Sequence, residues 1–486
     1  MKQRRLPPTR ERPHLIDLET ARHVLRVSVP LLFGMVGNLI FLLVDRICLA
    51  RYSEDTLQAS GPAVFTATTV IVLTTGVVGI TRSYVAQAHG RGDARGAIDE
   101  GANGLVLGMI LALLLVLSTP LLMWVPTLGG HPPHIQELES QYLGLSTLFG
   151  AVMTVTMALS SYFNGTERTR IPMTVGIIGQ AVGVIMTIGL VFGRFGLPEL
   201  GMRGSALGTL SAVLVMLVGY VVLLPQSCAA GLARLVRQGG KRAVQVVLLR
   251  LRRGAPAGGS LSLEELGQTA FVWLAGGLGA VALGANNVAL AVNYAAVIPL
   301  IGLGLGCNIL CGTAVGAGLH TDIPRIMRVT LVISGLYVAV VAFFQIVTPT
   351  LLLGPFGLDG SDPATTAHAI DVSRVLWTYS AAFMFSMVGS AVLECLGLAR
   401  FAFLARLGVM WCLCVPALVI IVVNNRDDAD LLPALWLVFS AFEAVMAGLC
   451  LWRVRRAVRN EENLLHSTDR PRGAHDATDT ADAPRP

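Results

Sequence analysis

The feature that most constrains this chain is a succession of about twelve apolar segments, each near the roughly 20 residues that an α-helix needs to cross a bilayer. Only 14% of the 486 residues are charged, whereas a soluble domain carries about 25%. A water-soluble fold would leave much of this apolar surface exposed, so the sequence predicts an all-α polytopic membrane protein. The predicted spans are Val24–Val44, Gly61–Ile80, Gly101–Met123, Leu138–Phe163, Pro172–Phe192, Gly204–Leu224, Pro256–Leu283, Val288–Gly312, Val329–Thr348, Val375–Leu393, Phe401–Val423 and Leu431–Trp452.

Basic residues are distributed unevenly between the loops. Two clusters lie in residues 1–23 and 225–255, whereas the loop Thr350–Thr366 has no Lys or Arg. Because cytoplasmic loops of membrane proteins are enriched in Lys and Arg, the pattern predicts a multi-pass protein of the inner (plasma) membrane with both termini in the cytoplasm. The net charge of +6 follows from this topology and predicts contact with lipid headgroups rather than with nucleic acid.

The chain divides at its longest internal polar segment, Pro225 to Gly254. This predicts two parallel six-helix lobes, 24–224 and 256–452, with a cytoplasmic N-terminal segment 1–23, a cytoplasmic linker 225–255 and a disordered cytoplasmic tail 453–486. A weak internal repeat supports the division, because Pro30 and Gly90 precede Pro256 and Gly316 by the same interval. Parallel repeats of this kind are common in transporters that rock two lobes about a central site.

Several motifs, in order along both halves, resemble the multidrug and toxic compound extrusion (MATE) family of transporters. They are Leu43-Val-Asp-Arg-Ile-Cys-Leu-Ala-Arg, Ala86-Gln-Ala-His-Gly, Tyr162-Phe-Asn-Gly-Thr-Glu-Arg, Phe192-Gly-Arg-Phe-Gly-Leu-Pro, Pro256 with Glu264, and Gly312-Thr-Ala-Val-Gly-Ala-Gly. The resemblance implies twelve helices in two lobes around a V-shaped cavity. It also implies export of amphipathic, often cationic, organic compounds by alternating access, in antiport with H⁺ or Na⁺.

Acidic residues within the spans are candidates for coupling, because a charge at mid-membrane is costly to bury. Asp45 matches the carboxylate of the family's first span, and the alternative is that it pairs with Arg46 or Arg51 at the outer interface. Glu264 matches the acid of the seventh span, and the alternative is an interfacial residue beside Glu265.

Two expected acidic positions are replaced, which leaves the coupling ion open between H⁺ and Na⁺. On span five, Gly183 and Thr187 stand where many proton-coupled members carry Asn and Asp, and Phe383–Met387 on span ten has no acid. Glu443, in the middle of span twelve, is therefore a third coupling candidate, with burial against Ser, Asn or Arg partners as the alternative. Glu394 is predicted to be exposed at the inner end of span ten.

Uncharged polar and apolar residues within the spans are candidates for binding substrate in the cavity. Each polar residue has the alternative role of bonding neighbouring helices. The candidates are Asn38, Gln180, Asn286, Asn287, Asn308 and Met384.

The predicted partners are a small organic substrate and the lipid bilayer, and the predicted state is a monomer. The sequence predicts no metal site and no cofactor beyond the coupling ion. It has no phosphate-binding Walker motif, which argues against an ATP-driven pump. Alternative functions are a dedicated exporter of one metabolite, a flippase for a lipid-linked sugar on a related two-lobed plan, and, ranked last, a membrane-integral enzyme.

Overall fold

The structure is a computed structural model that describes residues 18–128, 132–224, 231, 234, 240–353, 363–426 and 428–468. Within these ranges the chain is helical and has no β-strand, which confirms the predicted fold class. Most of the predicted N-terminal segment 1–23, the linker residues before Gly240 other than 231 and 234, and the tail after Thr468 lie outside the described residues.

The described helices divide into two groups at the predicted linker. The first lobe contains α1 (Leu18–Tyr52), α2 (Glu54–Gly79), α3 (Thr81–Gly90), α4 (Ala94–Leu117), α5 (Thr119–Trp124), α6 (Pro133–Gly165), α7 (Arg170–Phe192) and α8 (Met202–Leu223). The second contains α9 (Gly240–Gly276), α10 (Ala280–Gly316), α11 (Ile323–Val347), α12 (Pro349–Leu353), α13 (Pro363–Cys395), α14 (Ala399–Arg406), α15 (Val415–Asn424) and α16 (Leu432–Thr468). A π-helical stretch, Leu407–Cys414, joins α14 to α15.

In the described part of the chain, 11 helical stretches are long and apolar enough to cross a membrane. They correspond to all the predicted spans except the seventh. That span is the helix α9, whose apolar sequence is interrupted by Glu264, Glu265 and Gln268. With 37 residues, α9 is about 55 Å long at the helical rise of about 1.5 Å per residue, so it is long enough to cross a bilayer despite its polar side chains.

Most helices extend beyond the predicted spans by several residues, and three differences affect the second lobe. The seventh span ends at Gly276 rather than Leu283, because the chain turns at Gly279, whose φ of 106° favours glycine. The helix α9 already begins at Gly240, inside the predicted linker. At the other end of the second lobe, α16 continues past Trp452 to Thr468, so residues 453–468 of the predicted disordered tail are helical. Long helices therefore extend beyond the apolar segments at both places.

Each lobe has an apolar core of its own. In the second lobe the rings of Phe271 and Trp436 pack edge to face with centroids 4.8 Å apart, and Tyr379 packs beside them. In the first lobe Phe163 stacks on Tyr220 at 5.8 Å. A further apolar cluster joins Val24, Val27 and Leu31 of α1 to second-lobe residues of α10, so the lobes also share an apolar contact.

The lobes contact each other at the end that carries the connections 91–93, 166–169 and 396–398, which we call the basic-loop end. The backbones approach closely there: a Cβ added to Gly316 would collide with the carbonyl oxygen of Gln87, and one on Gly90 with that of Thr313. Gly90 and Gly316 are 226 residues apart, as are Gln87 and Thr313 and the bonded pair Arg82 and Asn308. Equivalent residues thus make reciprocal contacts, as a two-fold axis requires.

The same offset of 226 residues relates two helix–helix contacts between the lobes, that of α9 with α2 and that of α10 with α1. On one side of the axis Gly258 of α9 packs against Gly76 of α2, where a Cβ would lie 2.7 Å from the Gly258 Cα. On the other side Gly302 of α10 packs against Leu32 of α1, with a corresponding distance of 3.2 Å. The internal repeat predicted from two residue pairs is confirmed by this symmetry.

Polar side chains cross the contact at the axis. Arg82 Nε and Ser83 Oγ both donate to Asn308 Oδ1 at 3.1 Å, and Asn308 Nδ2 donates to Glu394 Oε2 at 3.1 Å. The prediction that Glu394 is exposed is wrong, because this bond and the nearby Arg82 guanidinium hold its carboxylate between the lobes. Gln87 Nε2 adds a bond to the Cys395 carbonyl at 2.9 Å.

A second polar contact lies beside the axis. Glu167, in the connection between α6 and α7, lies 3.0 Å from His23 Nε2 and accepts a bond from Thr313 Oγ1 of the other lobe at 3.2 Å. Burial raises the pKa of Glu167, but the hydrogen bond and charge of His23, the charge of His89 and the Thr313 hydroxyl together hold it below its ordinary value. The carboxylate therefore stays ionised, and this contact is kept, down to a lower pH than for an exposed Glu.

Candidate functional site

Buried acidic groups lie in both lobes, and the first-lobe site is built on Asp45. Its side chain is 5% exposed and accepts a hydrogen bond from Ser205 Oγ of α8 at 2.5 Å. The adjacent Arg46 instead points to Ser60 Oγ at 3.5 Å. Among the described residues Asp45 has no salt bridge, so the alternative of an ion pair with Arg46 or Arg51 is not what the geometry shows. A buried carboxylate with one hydroxyl donor is suited to binding a cation.

The second-lobe site is a cluster of three charges, Glu264, Arg406 and Glu443. Arg406 Nη2 lies 3.4 Å from Glu264 Oε2, and Arg406 Nη1 lies 3.4 Å from Glu443 Oε2. Arg406 and Glu443 are 5% and 4% exposed. Since two carboxylates face one guanidinium, the cluster carries a net charge of −1 when all three groups are ionised, and one bound proton makes it neutral.

Arg406 is a member of this cluster that is not among the residues predicted from the sequence. It lies near the start of the predicted span Phe401–Val423, and the structure places it at the end of α14 inside the lobe, immediately before the π-helical stretch. Such π-helical segments are frequent at functional sites. The available signal was the apolar sequence on both sides of Arg406, because a charge within a span is costly to bury.

The first lobe has a neutral counterpart of this ion pair. Asn38 and Gln180 are joined by a hydrogen bond of 3.1 Å from Gln180 Nε2 to Asn38 Oδ1. At the 226-residue offset Asn38 corresponds to Glu264 and Gln180 corresponds to Arg406. The structure thus brings these two predicted cavity residues together with each other, at the place where the second lobe holds its charges.

One face of α9 points toward the first lobe and adds a further acid. Gly258 packs against α2, and Ser262 Oγ donates to the Thr69 carbonyl at 3.2 Å. Glu265 follows these residues by seven and three positions, so helical periodicity places it on the same face, farther from the basic-loop end. The sequence patterns predict Glu265 only as a neighbour of Glu264. The spacing from Pro256 and Gly258 was the signal that could have identified it.

An aromatic hydroxyl lies near this face. Tyr294 of α10 is 37% exposed and donates to Gln268 Oε1 of α9 at 3.1 Å. Glu265 and the first-lobe Arg46 are both within electrostatic range of the Tyr294 hydroxyl. Charged groups of α1 and α9 therefore lie near the Tyr294 hydroxyl of α10.

The remaining predicted cavity residues are not brought together. Asn286 is fully buried and accepts a bond from Trp436 Nε1 at 3.0 Å, inside the second-lobe core. Asn287 is exposed, and Met384 is half-buried against the same core. Asn308 is the axial residue of the inter-lobe contact. Asn286, Asn308 and Met384 thus bond or pack against other helices, whereas Asn287 is exposed.

Metal-binding clusters of three or more His, Cys, Asp or Glu are absent from the described residues. The seven cysteines in that part of the chain are free. At the two sites described above, the buried charged groups are the Asp45 carboxylate in the first lobe and the cluster of Glu264, Arg406 and Glu443 in the second.

The MatE family model matches residues 30–188 and 256–420, one stretch in each lobe. The chain belongs to the MatE family. It is 26% identical over 414 residues, 83% of each chain, to the probable multidrug resistance protein NorM of Pseudomonas aeruginosa. It is also 26% identical over 378 residues, 75% of each chain, to the multidrug resistance protein PmpM of the same organism. The predicted resemblance is confirmed.

Solved structures show the same fold. One is described as the outward-facing conformation of a multidrug resistance MATE family transporter of the MOP superfamily, with a TM-score of 0.80, 17% identity and coverage of 91% of this chain and 96% of that one. A MOP superfamily transporter from Pyrococcus furiosus matches with a TM-score of 0.79, 18% identity and coverage of 90% and 96%. This MatE protein is a multi-pass membrane protein with the two-lobed transporter fold.

Proposed function

We propose that this MatE protein exports organic compounds, cationic ones included, in antiport with protons, by alternating access between its two lobes. The names of its relatives support multidrug export. The observation that carries the proposal is the buried cluster of Glu264, Arg406 and Glu443, because nothing in a purely structural core accounts for a net buried charge.

The lobes meet at the basic-loop end, and this supports an access state open on the opposite side. We assign the basic-loop end to the cytoplasm of an inner-membrane protein with both termini inside, on the positive-inside rule. The described state is then closed inward and open outward. In the opposite state the bonds of Asn308 with Arg82 and of Thr313 with Glu167 must break, and both are replaceable by water.

The charge balance of the second-lobe cluster favours protons over sodium. The guanidinium of Arg406 already lies between the two carboxylates, in the position that a sodium ion would need in order to bridge them. A proton needs no such space, and its binding to either Glu264 or Glu443 leaves a neutral ion pair with the other. Removing a net charge from the interior lowers the cost of rearranging the lobe.

The space between the lobes suits a cationic substrate. Glu265 supplies a negative charge and Tyr294 an aromatic face, and aromatic rings and carboxylates both attract organic cations. On this proposal the protein has no enzymatic reaction to perform, since binding and a change of access suffice.

The test is efflux of a fluorescent organic cation from proteoliposomes with an imposed proton or sodium gradient. We expect efflux to follow the proton gradient and to fall at least tenfold in Asp45→Asn and Glu443→Gln, each assayed separately. The matched control is Asp371→Asn, which removes an exposed acid of α13 that contacts Arg374.

Other outcomes distinguish the alternatives. Efflux driven by sodium alone would overturn the proton assignment. Full activity of both variants would remove the two sites from the coupling mechanism. Absence of efflux for a panel of organic cations would favour a dedicated exporter of one metabolite.

A further inference from the structure

A cavity of about 660 Å³ opens at the basic-loop end, beside the contact between the lobes. The first lobe lines it with Tyr84 and Gln87. The helix α9 adds Arg252 and Arg253, and α14 adds Arg400. Its volume lies within the range of about 300 to 1,000 Å³ that is usual for ligand sites. It is separate from the charged groups of the proposed transport mechanism.

The cavity has an excess of positive charge. Arg252 and Arg400 are exposed, and neither forms a salt bridge with a described carboxylate. Arg253 donates to the Tyr84 hydroxyl at 3.3 Å. The one acid in the lining, Glu394, is already held by Asn308 and Arg82. Three guanidinium groups thus line the cavity, and the carboxylate of Glu394 in its lining is already paired with Arg82 and bonded to Asn308.

The first part of α9 is fixed against the first lobe on one face only. Arg250 is 6% exposed, forms an ion pair with Glu100 and lies over the Tyr84 ring at 3.9 Å. The opposite face is apolar and exposed at three side chains: Val244 at 65%, Leu248 at 62% and Leu249 at 48%. Leu249 also lines the cavity. Exposed apolar residues next to arginines, just before a membrane span, are the pattern of a helix at the membrane surface.

We propose that this cavity binds the phosphate-bearing headgroup of an anionic phospholipid, with its acyl chains along Leu248 and Leu249. Arginine matches phosphate geometry with its planar fork of donors, and basic pockets between transmembrane helices on the cytoplasmic side are suited to such headgroups. The cavity is lined by both lobes, so a bound headgroup bridges them. The lipid therefore stabilises the state that is closed at the basic-loop end.

The test is native mass spectrometry of the full chain in detergent, titrated with phosphatidylglycerol or phosphatidylcholine. The variant is Arg252→Gln/Arg400→Gln, and the matched control is Arg91→Gln/Arg95→Gln, which removes two exposed arginines from the same end outside the cavity. We expect the wild type and control to retain one phosphatidylglycerol in preference to phosphatidylcholine. The cavity variant should bind it about 30-fold more weakly, at about 1 kcal/mol per arginine.

A parallel arm separates a lipid from a soluble anion. Inorganic phosphate in large excess should leave phosphatidylglycerol bound, since it lacks the acyl contacts. Displacement of the lipid by phosphate would assign the cavity to a free anion instead. Equal weakening in the control variant would show attraction by net charge alone and would overturn the site. The measurement needs no transport activity, so its outcome is independent of the proposed antiport.

Discussion

The two lobes share one framework and differ in the charge of the groups it holds. At equivalent positions the first lobe has the amide pair Asn38 and Gln180, and the second has the ion pair Glu264 and Arg406. Both pairs are separated by 142 residues along the chain. The first-lobe amides are partly exposed, whereas Arg406 is 5% exposed.

The difference shows that the repeat conserves geometry rather than chemistry. In the first lobe the acid lies elsewhere, at Asp45, with a serine as its partner. In the second lobe two acids share one arginine, so the charges depend on each other. Substitutions in the pair Glu264 and Arg406 should therefore lower the free energy of unfolding more than substitutions in the equivalent pair Asn38 and Gln180. Substitutions of the equivalent glycines at the two-fold axis should instead have similar effects.

The largest expected effect is that of Arg406→Met. It leaves Glu264 and Glu443 buried without a cation and should lower the free energy of unfolding by about 3–5 kcal/mol. The equivalent first-lobe change, Gln180→Met, removes one partly exposed hydrogen bond and should cost about 1 kcal/mol. Chemical denaturation of the purified proteins in detergent measures both. Similar losses in the two variants would show that the lobes do not differ in the way described.

A medium effect is expected at the symmetric glycines. Gly316→Ala and Gly90→Ala each place a methyl group against a carbonyl of the other lobe, and overpacking of this kind costs about 1–3 kcal/mol. Both should loosen the contact between the lobes and increase alkylation of Cys395, which is 2% exposed beside Asn308. Peptide mapping by mass spectrometry identifies the labelled cysteine.

The control for this pair is Gly448→Ala in α16, where an added Cβ meets nothing within 4 Å. An increase in Cys395 labelling in only one of the two symmetric variants would contradict the reciprocal contact inferred from the repeat.

A smaller effect is expected from moving the ion pair into the first lobe. The double variant Asn38→Glu/Gln180→Arg creates a partly exposed pair, which should change the free energy of unfolding by about 1 kcal/mol or less. Denaturation of the double variant and of each single variant measures the coupling between the two sites. A loss of unfolding free energy as large as that of Arg406→Met would mean that the first lobe excludes water at this position as fully as the second lobe does.

The smallest effect is expected at Glu167. Its pKa lies below the ordinary value in the closed state, because the His23 and Thr313 contacts outweigh burial. The contact therefore contributes fully above the ordinary Glu pKa and is lost as the pH falls through the lowered pKa. Cys395 labelling should rise at acid pH in the wild type, and the acid-induced increase should be smaller in Glu167→Gln. An unchanged pH profile in that variant would assign the effect to another group.

Much of the fold follows from local patterns. The apolar segments predicted twelve spans, and each is helical: eleven are long apolar helices, and the seventh lies in the more polar α9. Two residue pairs at one offset predicted a repeat that Gly90, Gly316, Arg82 and Asn308 display in three dimensions. The site was predicted less completely. Asp45 is as buried as its position suggested, but Asn286 and Asn308 were assigned to a cavity and instead bond a core tryptophan and the other lobe.

The sequence by itself determined that this is a membrane protein of two repeated lobes, because hydropathy, helix length and loop charge are properties of neighbouring residues. Only the tertiary structure decided which charges meet. The sequence around Arg406 does not show its partners, which are two acids on other helices, α9 and α16. The energy of a buried charge depends on its partners within a few ångströms. Helix packing, rather than any local sequence pattern, determines which residues become those partners.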